Sequence, residues 1–90
     1  MTYDLQAGVS MATTDYGVTL LDERSGEYFQ LNPTGALVVN TLLAGGTRDD
    51  AVERLMAEYA VDLDAASRDV ADLTNALQSA DLVTAHGTRR

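Results

Sequence analysis

An α+β fold, winged helix-turn-helix-like, with a three-stranded antiparallel sheet followed by three helices, is predicted by three features of this 90-residue chain. Apolar residues alternate with polar ones through the first third and recur at helical spacing thereafter. The two patterns are segregated along the sequence, which separates sheet from helices instead of interleaving them as a parallel α/β layout would. The length admits one small core and no second domain.

The sheet comes first. Val9 and Met11 alternate with Ser10 and Ala12, and Gly17-Val18-Thr19-Leu20-Leu21 and Tyr28-Phe29-Gln30-Leu31 flank the charged turn Asp22-Glu23-Arg24-Ser25-Gly26-Glu27. Three short strands in a meander follow. Gly26 can take positive φ, either in a two-residue turn with Ser25 or in a three-residue loop closed by a G1 bulge. The two differ by one residue of register, which leaves the faces of Leu20 and Leu21 open.

Asn32-Pro33 marks the change to helix. Asn caps through its side-chain oxygen, and Pro at the first helical position gives up no N–H that the helix needs. The first helix is expected to run to about Ala44 and to be the central one, since Ala36, Leu37, Val38, Val39, Leu42 and Leu43 wrap most of its circumference. Gly45-Gly46 ends it. Thr47 then caps a second helix with Asp50 at N3, and Val52, Leu55, Met56 and Tyr59 form its apolar stripe. Asp62 or Asp64 caps a third, whose core seam reads Leu63, Ala66, Val70, Leu73, Leu77 and Ala80. Ala65, Asp69, Asp72 and Ala76 fall on one flank of that seam, and Ser67, Ala71, Thr74 and Gln78 on the other. Leu82 and Val83 fold back onto the core. Residues 1–83 are expected to form the domain and 84–90 a flexible tail.

Charge and composition exclude most chemistries. Six basic against fourteen acidic residues give a net charge of −8, and all six basic residues are arginines. A winged arrangement suggests DNA, but the third helix presents Asp69 and Asp72 where phosphates would lie, and Arg24, Arg48, Arg54, Arg68, Arg89 and Arg90 form no stripe. Cysteine is absent, so thiol nucleophiles, disulfides and thiolate metal sites have no parts. The lone histidine, His86, makes no metal site by itself. An acyl carrier would need an Asp-Ser pair at a helix start, and none occurs. The chain begins Met1-Thr2-Tyr3-Asp4-Leu5 without a basic residue or a following apolar run, so no secretory signal is read and the cytoplasm is expected. The uncharged stretch Tyr28 to Thr47 holds Gln30, Asn32, Pro33 and Asn40, and reads as strand, turn and helix, not a membrane span.

The ordered set Leu20-Leu21-Asp22-Glu23-Arg24-Ser25-Gly26-Glu27-Tyr28-Phe29-Gln30-Leu31-Asn32-Pro33-Thr34-Gly35-Ala36, Leu42-Leu43-Ala44-Gly45-Gly46-Thr47, Asp69-Val70 and Ala80-Asp81-Leu82-Val83 resembles the PqqD-like family. More narrowly, it is similar to the stand-alone PqqD-like proteins of lasso peptide biosynthesis. Two positions depart from the pattern: Phe29 stands where a larger aromatic is common, and Asp81 where a glycine C-cap is common. The first alters pocket size and the second costs a little cap stability.

The resemblance implies a non-catalytic recognition element that holds the leader region of a ribosomally made precursor peptide and needs no cofactor and no metal. It implies as partners a cysteine-protease-like leader peptidase and an ATP-dependent cyclase, with neither nucleic acid nor membrane. Another branch of the family, serving a quinone cofactor or a radical-enzyme peptide pathway, fits the same residues. By the family's pattern the leader adds as a strand to Glu27, Tyr28, Phe29, Gln30 and Leu31. It would lie in a groove against the third helix, floored by Val70, Leu73 and Leu77, walled by Tyr28 or Phe29, with Ala76 on the same flank and Asp69 and Asp72 on the rim. Tyr28 and Phe29 point to opposite faces, so Phe29 is assigned to the core and Tyr28 to the ligand. From composition alone, Asp69 and Asp72 also read as a solvated face, and Leu73 and Leu77 as core.

Overall fold

The computed structural model describes residues 2–86. Strands β1 (Thr2–Leu5), β2 (Val9–Thr14), β3 (Gly17–Asp22) and β4 (Glu27–Leu31) precede helices α1 (Pro33–Leu43), α2 (Arg48–Tyr59) and α3 (Leu63–Ser79), and β5 (Val83–His86) closes the described chain. The expected antiparallel meander is the sheet β2-β3-β4, and the winged α+β arrangement follows from it.

A second sheet was not expected. β1 pairs with β5 antiparallel, from Thr2 opposite His86 to Leu5 opposite Val83, and Gln6 N–H extends the ladder to the Leu82 carbonyl at 2.9 Å. Thr84, Ala85 and His86, expected in the tail, thus continue as strand, with the start of the chain as partner. His86 Nε2 lies 3.1 Å from an Asp4 carboxylate oxygen across this pair. Residues 87–90 of the expected tail lie outside the described residues.

The β3–β4 connection is neither of the two alternatives read from Gly26. Asp22 pairs with Glu27, leaving a four-residue loop, Glu23 to Gly26. The N–H groups of Ser25 and Gly26 both donate to the Asp22 carbonyl, at 3.3 and 2.7 Å, and Gly26 closes the loop at φ +80°. This register puts Val18, Leu20 and Asp22 on the inner face and Thr19 and Leu21 on the outer one, with Leu20 fully buried.

The helix boundaries follow the cap chemistry. Asn32 Oδ1 accepts from Gly35 N–H at 2.9 Å, with Pro33 at the first helical position. Gly46 N–H donates to Thr41 and Gly45 N–H to Leu42, a Schellman motif with Gly45 at φ +99°. Thr47 and Asp50 form the reciprocal capping box. Asp62, not Asp64, caps α3, accepting from Ala65 N–H at 2.7 Å. Each such cap is worth about 1 kcal/mol.

Packing departs from the helical stripes at their ends. α1 buries Ala36, Val38, Val39 and Leu42 at the centre of the core. α2 turns Ala51, Val52 and Leu55 inward, while Met56 and Tyr59 reach the surface because the helix ends there in the left-handed Ala60. On α3 the inward line is Ala66, Val70, Thr74 and Leu77. Leu63, at its first position, is 58% exposed, and Thr74 is fully buried. Burial of Thr74 is tolerated because its hydroxyl is within donating distance of the Val70 carbonyl (2.8 Å) and the Ala71 carbonyl (3.0 Å). Tyr3 and Val83 of the unexpected sheet join the same core.

Candidate functional site

β4 has β3 on one side and no strand on the other among the described residues. Its second edge thus presents unpaired backbone N–H and C=O groups, the donors and acceptors an added strand would need. α3 stands across a gap from this edge. A cavity of about 450 Å³ opens between them, lined by Gln30 and Leu31 of β4, by Asn32, Thr34, Gly35 and Val38 at the start of α1, by Leu55 of α2, and by Asp69, Asp72 and Leu73 of α3.

α3 packs against α2 and β5, and the cavity fills the space left between it and the end of β4. Leu73 lies about 40 to 60° around the helix from Val70 and Leu77, toward Asp69. Val70 and Leu77 are consequently taken up by the core, whereas Leu73 is half-buried and faces the opening. The groove floor expected from Val70, Leu73 and Leu77 is therefore made by Leu73 with Val38 and Leu55. Asp69 and Asp72 are exposed on its rim, and among the described residues neither is held in an ion pair. With no described arginine lining it, the cavity carries a negative field.

The remaining expected positions distribute by strand parity. Phe29 lies opposite Leu20 and packs, half-buried, against the core. Tyr28 lies opposite Leu21 on the outer face and is 69% exposed. Neither lines the cavity, so no aromatic wall is formed there. Glu27 is exposed at the start of β4, and Ala76 is exposed on α3 one turn beyond Leu73.

Five further residues line the cavity: Asn32, expected as a cap, Val38 and Leu55, expected as core, and Thr34 and Gly35, which entered only with the family signature. Asn32 Oδ1 accepts both the Gly35 N–H and the Thr34 hydroxyl (2.9 Å each), which turns the chain sharply from β4 into α1 and opens the corner the cavity occupies. A Cβ on Gly35 would meet Asn32 Oδ1 and Leu31 Cβ at 3.3 Å, so a side chain would crowd that corner. The signal was present as Asn-Pro-Thr-Gly next to a strand end, where capping explains Asn32-Pro33 and nothing local assigns Thr34 and Gly35 to a cavity.

Three of the arginines are engaged within the fold. Arg24 is held by Asp22 and Asp81, Arg54 by Glu58, and Arg48 donates to the Tyr3 hydroxyl at 2.8 Å. Among the described residues there is no cluster of metal-ligating side chains, and no helix is long and apolar enough to cross a membrane.

Solved structures share this fold. A solved structure described as a lasso peptide synthetase B1 complexed with the leader peptide superposes with a TM-score of 0.87 at 42% identity, covering 94% of this chain and all of the other. TbiB1 in complex with the TbiA(beta) leader peptide superposes with a TM-score of 0.83 at 30% identity, covering 98% of this chain and all of the other. No curated protein sequence matches. The family model for coenzyme PQQ synthesis protein D matches residues 17–83, the span from β3 to the start of β5, and the chain belongs to the PqqD family.

Proposed function

We propose that this protein binds the leader region of a ribosomally synthesised precursor peptide, of the lasso class, and presents it to a separate leader peptidase. The leader adds as an extended strand to the free edge of β4, and alternate side chains enter the cavity bounded by Leu73, Val38 and Leu55. The observation that carries this reading is the free β4 edge facing α3 across an open cavity, in a chain whose two structural neighbours are described in complex with leader peptides.

The role is binding, not catalysis, and bond cleavage and ring closure belong to the peptidase and an ATP-dependent cyclase. Asp69 and Asp72 favour a leader carrying Arg or Lys near its docking segment and speed its encounter. β4 is five residues long, which keeps the interface near or below the ~1,200 Å² lower bound of standard complexes. Affinity then rests on one or two apolar or aromatic leader side chains.

Fluorescence polarisation with a labelled leader encoded beside the gene tests the proposal, with a scrambled leader as control. Saturable binding of the native leader alone is expected. Equal binding of both peptides, or of neither, overturns it. Should only the precursor of a quinone cofactor pathway bind, the protein serves that branch of the family instead.

A further inference from the structure

A second cavity, of about 430 Å³, flanks the same end of β4 and is lined by Thr14, Tyr16, Val18, Thr19, Gln30, Leu31 and Asn32. It shares Gln30, Leu31 and Asn32 with the acidic cavity, so the two meet at the strand end. The shared strand residues alternate in face. Gln30 lies opposite Thr19, on the outer side of the sheet, whereas Leu31 lies opposite Val18 on the inner side.

Tyr16 closes this second cavity, and its placement is not that of a loose loop residue. It sits in the two-residue connection between β2 and β3 and is 85% exposed. Thr14 Oγ1 accepts its N–H at 3.2 Å, and the Thr14 hydroxyl in turn reaches the Gly17 carbonyl at 3.3 Å. Gly17 packs so closely on the β4–α1 junction that a Cβ there would collide with the Leu31 carbonyl oxygen. A locked turn thus presents an uncovered aromatic ring beside the strand end.

We propose that Tyr16 and the trough over Thr19 and Gln30 form a second subsite for the leader, taking an aromatic or long apolar side chain. This inference rests on strand addition to β4. Successive residues of an extended strand point to opposite faces. When one leader residue enters the acidic cavity beside Leu31, its neighbour is directed outward over Gln30. Diagonal reach across a sheet is limited to aromatic and long side chains, which sets the chemistry of the occupant. The trough is lined by uncharged side chains, so it selects differently from the cavity rimmed by Asp69 and Asp72. Two adjacent leader residues are thereby read separately, one from each side of the sheet.

The test is a double-mutant cycle read by fluorescence polarisation, combining Tyr16→Ala with single alanine substitutions along the leader. Tyr16→Ala is expected to weaken the native leader about three- to tenfold, with an unchanged melting temperature because the ring is exposed. That loss should vanish for one leader variant only, whose neighbour in sequence couples instead to Leu73→Ala. Native-strength binding by Tyr16→Ala, or equal loss across all leader variants, overturns the subsite while leaving the leader-binding reading intact. Failure of the unsubstituted protein to bind the leader overturns the leader-binding reading itself, and the subsite with it.

Discussion

Arg24 in the β3–β4 turn and Asp81 at the end of α3 are joined twice: Arg24 Nη2 donates to the Asp81 carbonyl at 2.7 Å and Nη1 to its carboxylate at 3.1 Å. Asp81 occupies the left-handed position, φ +60°, of a Schellman motif in which Leu82 N–H donates to Leu77 and Asp81 N–H to Gln78. Glycine would fit that backbone more easily. The carboxylate offsets part of the strain by accepting Gln6 Nε2 at 2.8 Å as well as Arg24. One residue therefore ties the β3–β4 turn, the end of α3 and Gln6 at the end of β1 together.

Substitutions at Asp81 separate backbone from side chain. Asp81→Gly relieves the left-handed conformation, worth about 1 kcal/mol, and loses exposed bonds of similar total worth, so its stability should stay near that of the parent. Asp81→Ala loses the bonds and gains nothing, and should be about 1 kcal/mol less stable than the glycine variant. Urea unfolding of the two proteins measures the difference. Equal stabilities would mean that position 81 is not left-handed in solution.

Asp22 supplies an acid-dependent part of the stability. The Arg24 guanidinium, donating to its carboxylate at 2.9 and 3.2 Å, holds the Asp22 carboxyl below the usual aspartate range, against the opposing effect of burial. A carboxyl with a lowered native pKa binds fewer protons folded than unfolded, so it adds stability above the unfolded value near ~3.9 and loses it as pH falls through the lower native one. Melting temperatures from pH 6 to pH 3 should fall less steeply for Asp22→Asn than for the parent. Parallel curves would count against the pairing.

Legibility in the sequence followed locality. Asn32-Pro33, Gly45-Gly46 and the Thr47–Asp50 box act within one turn of chain, and each structural boundary sits where its cap chemistry puts it. The β1–β5 pair joins two four-residue strands at opposite ends of the chain, and neither Thr2–Leu5 nor Val83–His86 is long enough to carry a periodic signal. Helical spacing places Thr74 on a flank of the seam, yet it is buried, since a hydroxyl that can donate to its own helix needs no solvent. For the candidate site, parity along β4 separated Tyr28 from Phe29, helical spacing put Asp69 and Asp72 on the flank beside the seam that holds Leu73, and the family resemblance joined them in one groove. The contribution of Asn32, Thr34, Gly35, Val38 and Leu55 depends on how α1 and α2 approach β4, which is tertiary information.

Gly17 and Gly26 both have positive φ, and their substitution should have unequal consequences. A Cβ on Gly26 enters open space, so Gly26→Ala should cost only the left-handed strain, about 1 kcal/mol. A Cβ on Gly17 collides with the Leu31 carbonyl oxygen and crowds Asn32, so Gly17→Ala must also push the β2–β3 turn off the β4–α1 junction. Backbone strain and overpacking together should cost about 2 to 4 kcal/mol. Chemical denaturation distinguishes the two, and a Gly17→Ala protein as stable as Gly26→Ala would mean that the turn does not pack on that junction.

Asp69 offers the most direct access to leader recognition. It is exposed on α3, lines the cavity beside Leu73 and, among the described residues, its side chain is held by no ion pair. Asp69→Arg should therefore leave the melting temperature within about 1 °C, as surface changes away from caps and core do. The same substitution inverts the sign of one rim charge. It should weaken leader binding about three- to tenfold at low salt, mainly through slower association, and the deficit should shrink as added salt screens the rim. Polarisation titrations at two ionic strengths, set beside a thermal melt, separate these effects. Unchanged affinity at low salt would remove Asp69 from the binding surface and place the leader elsewhere along β4.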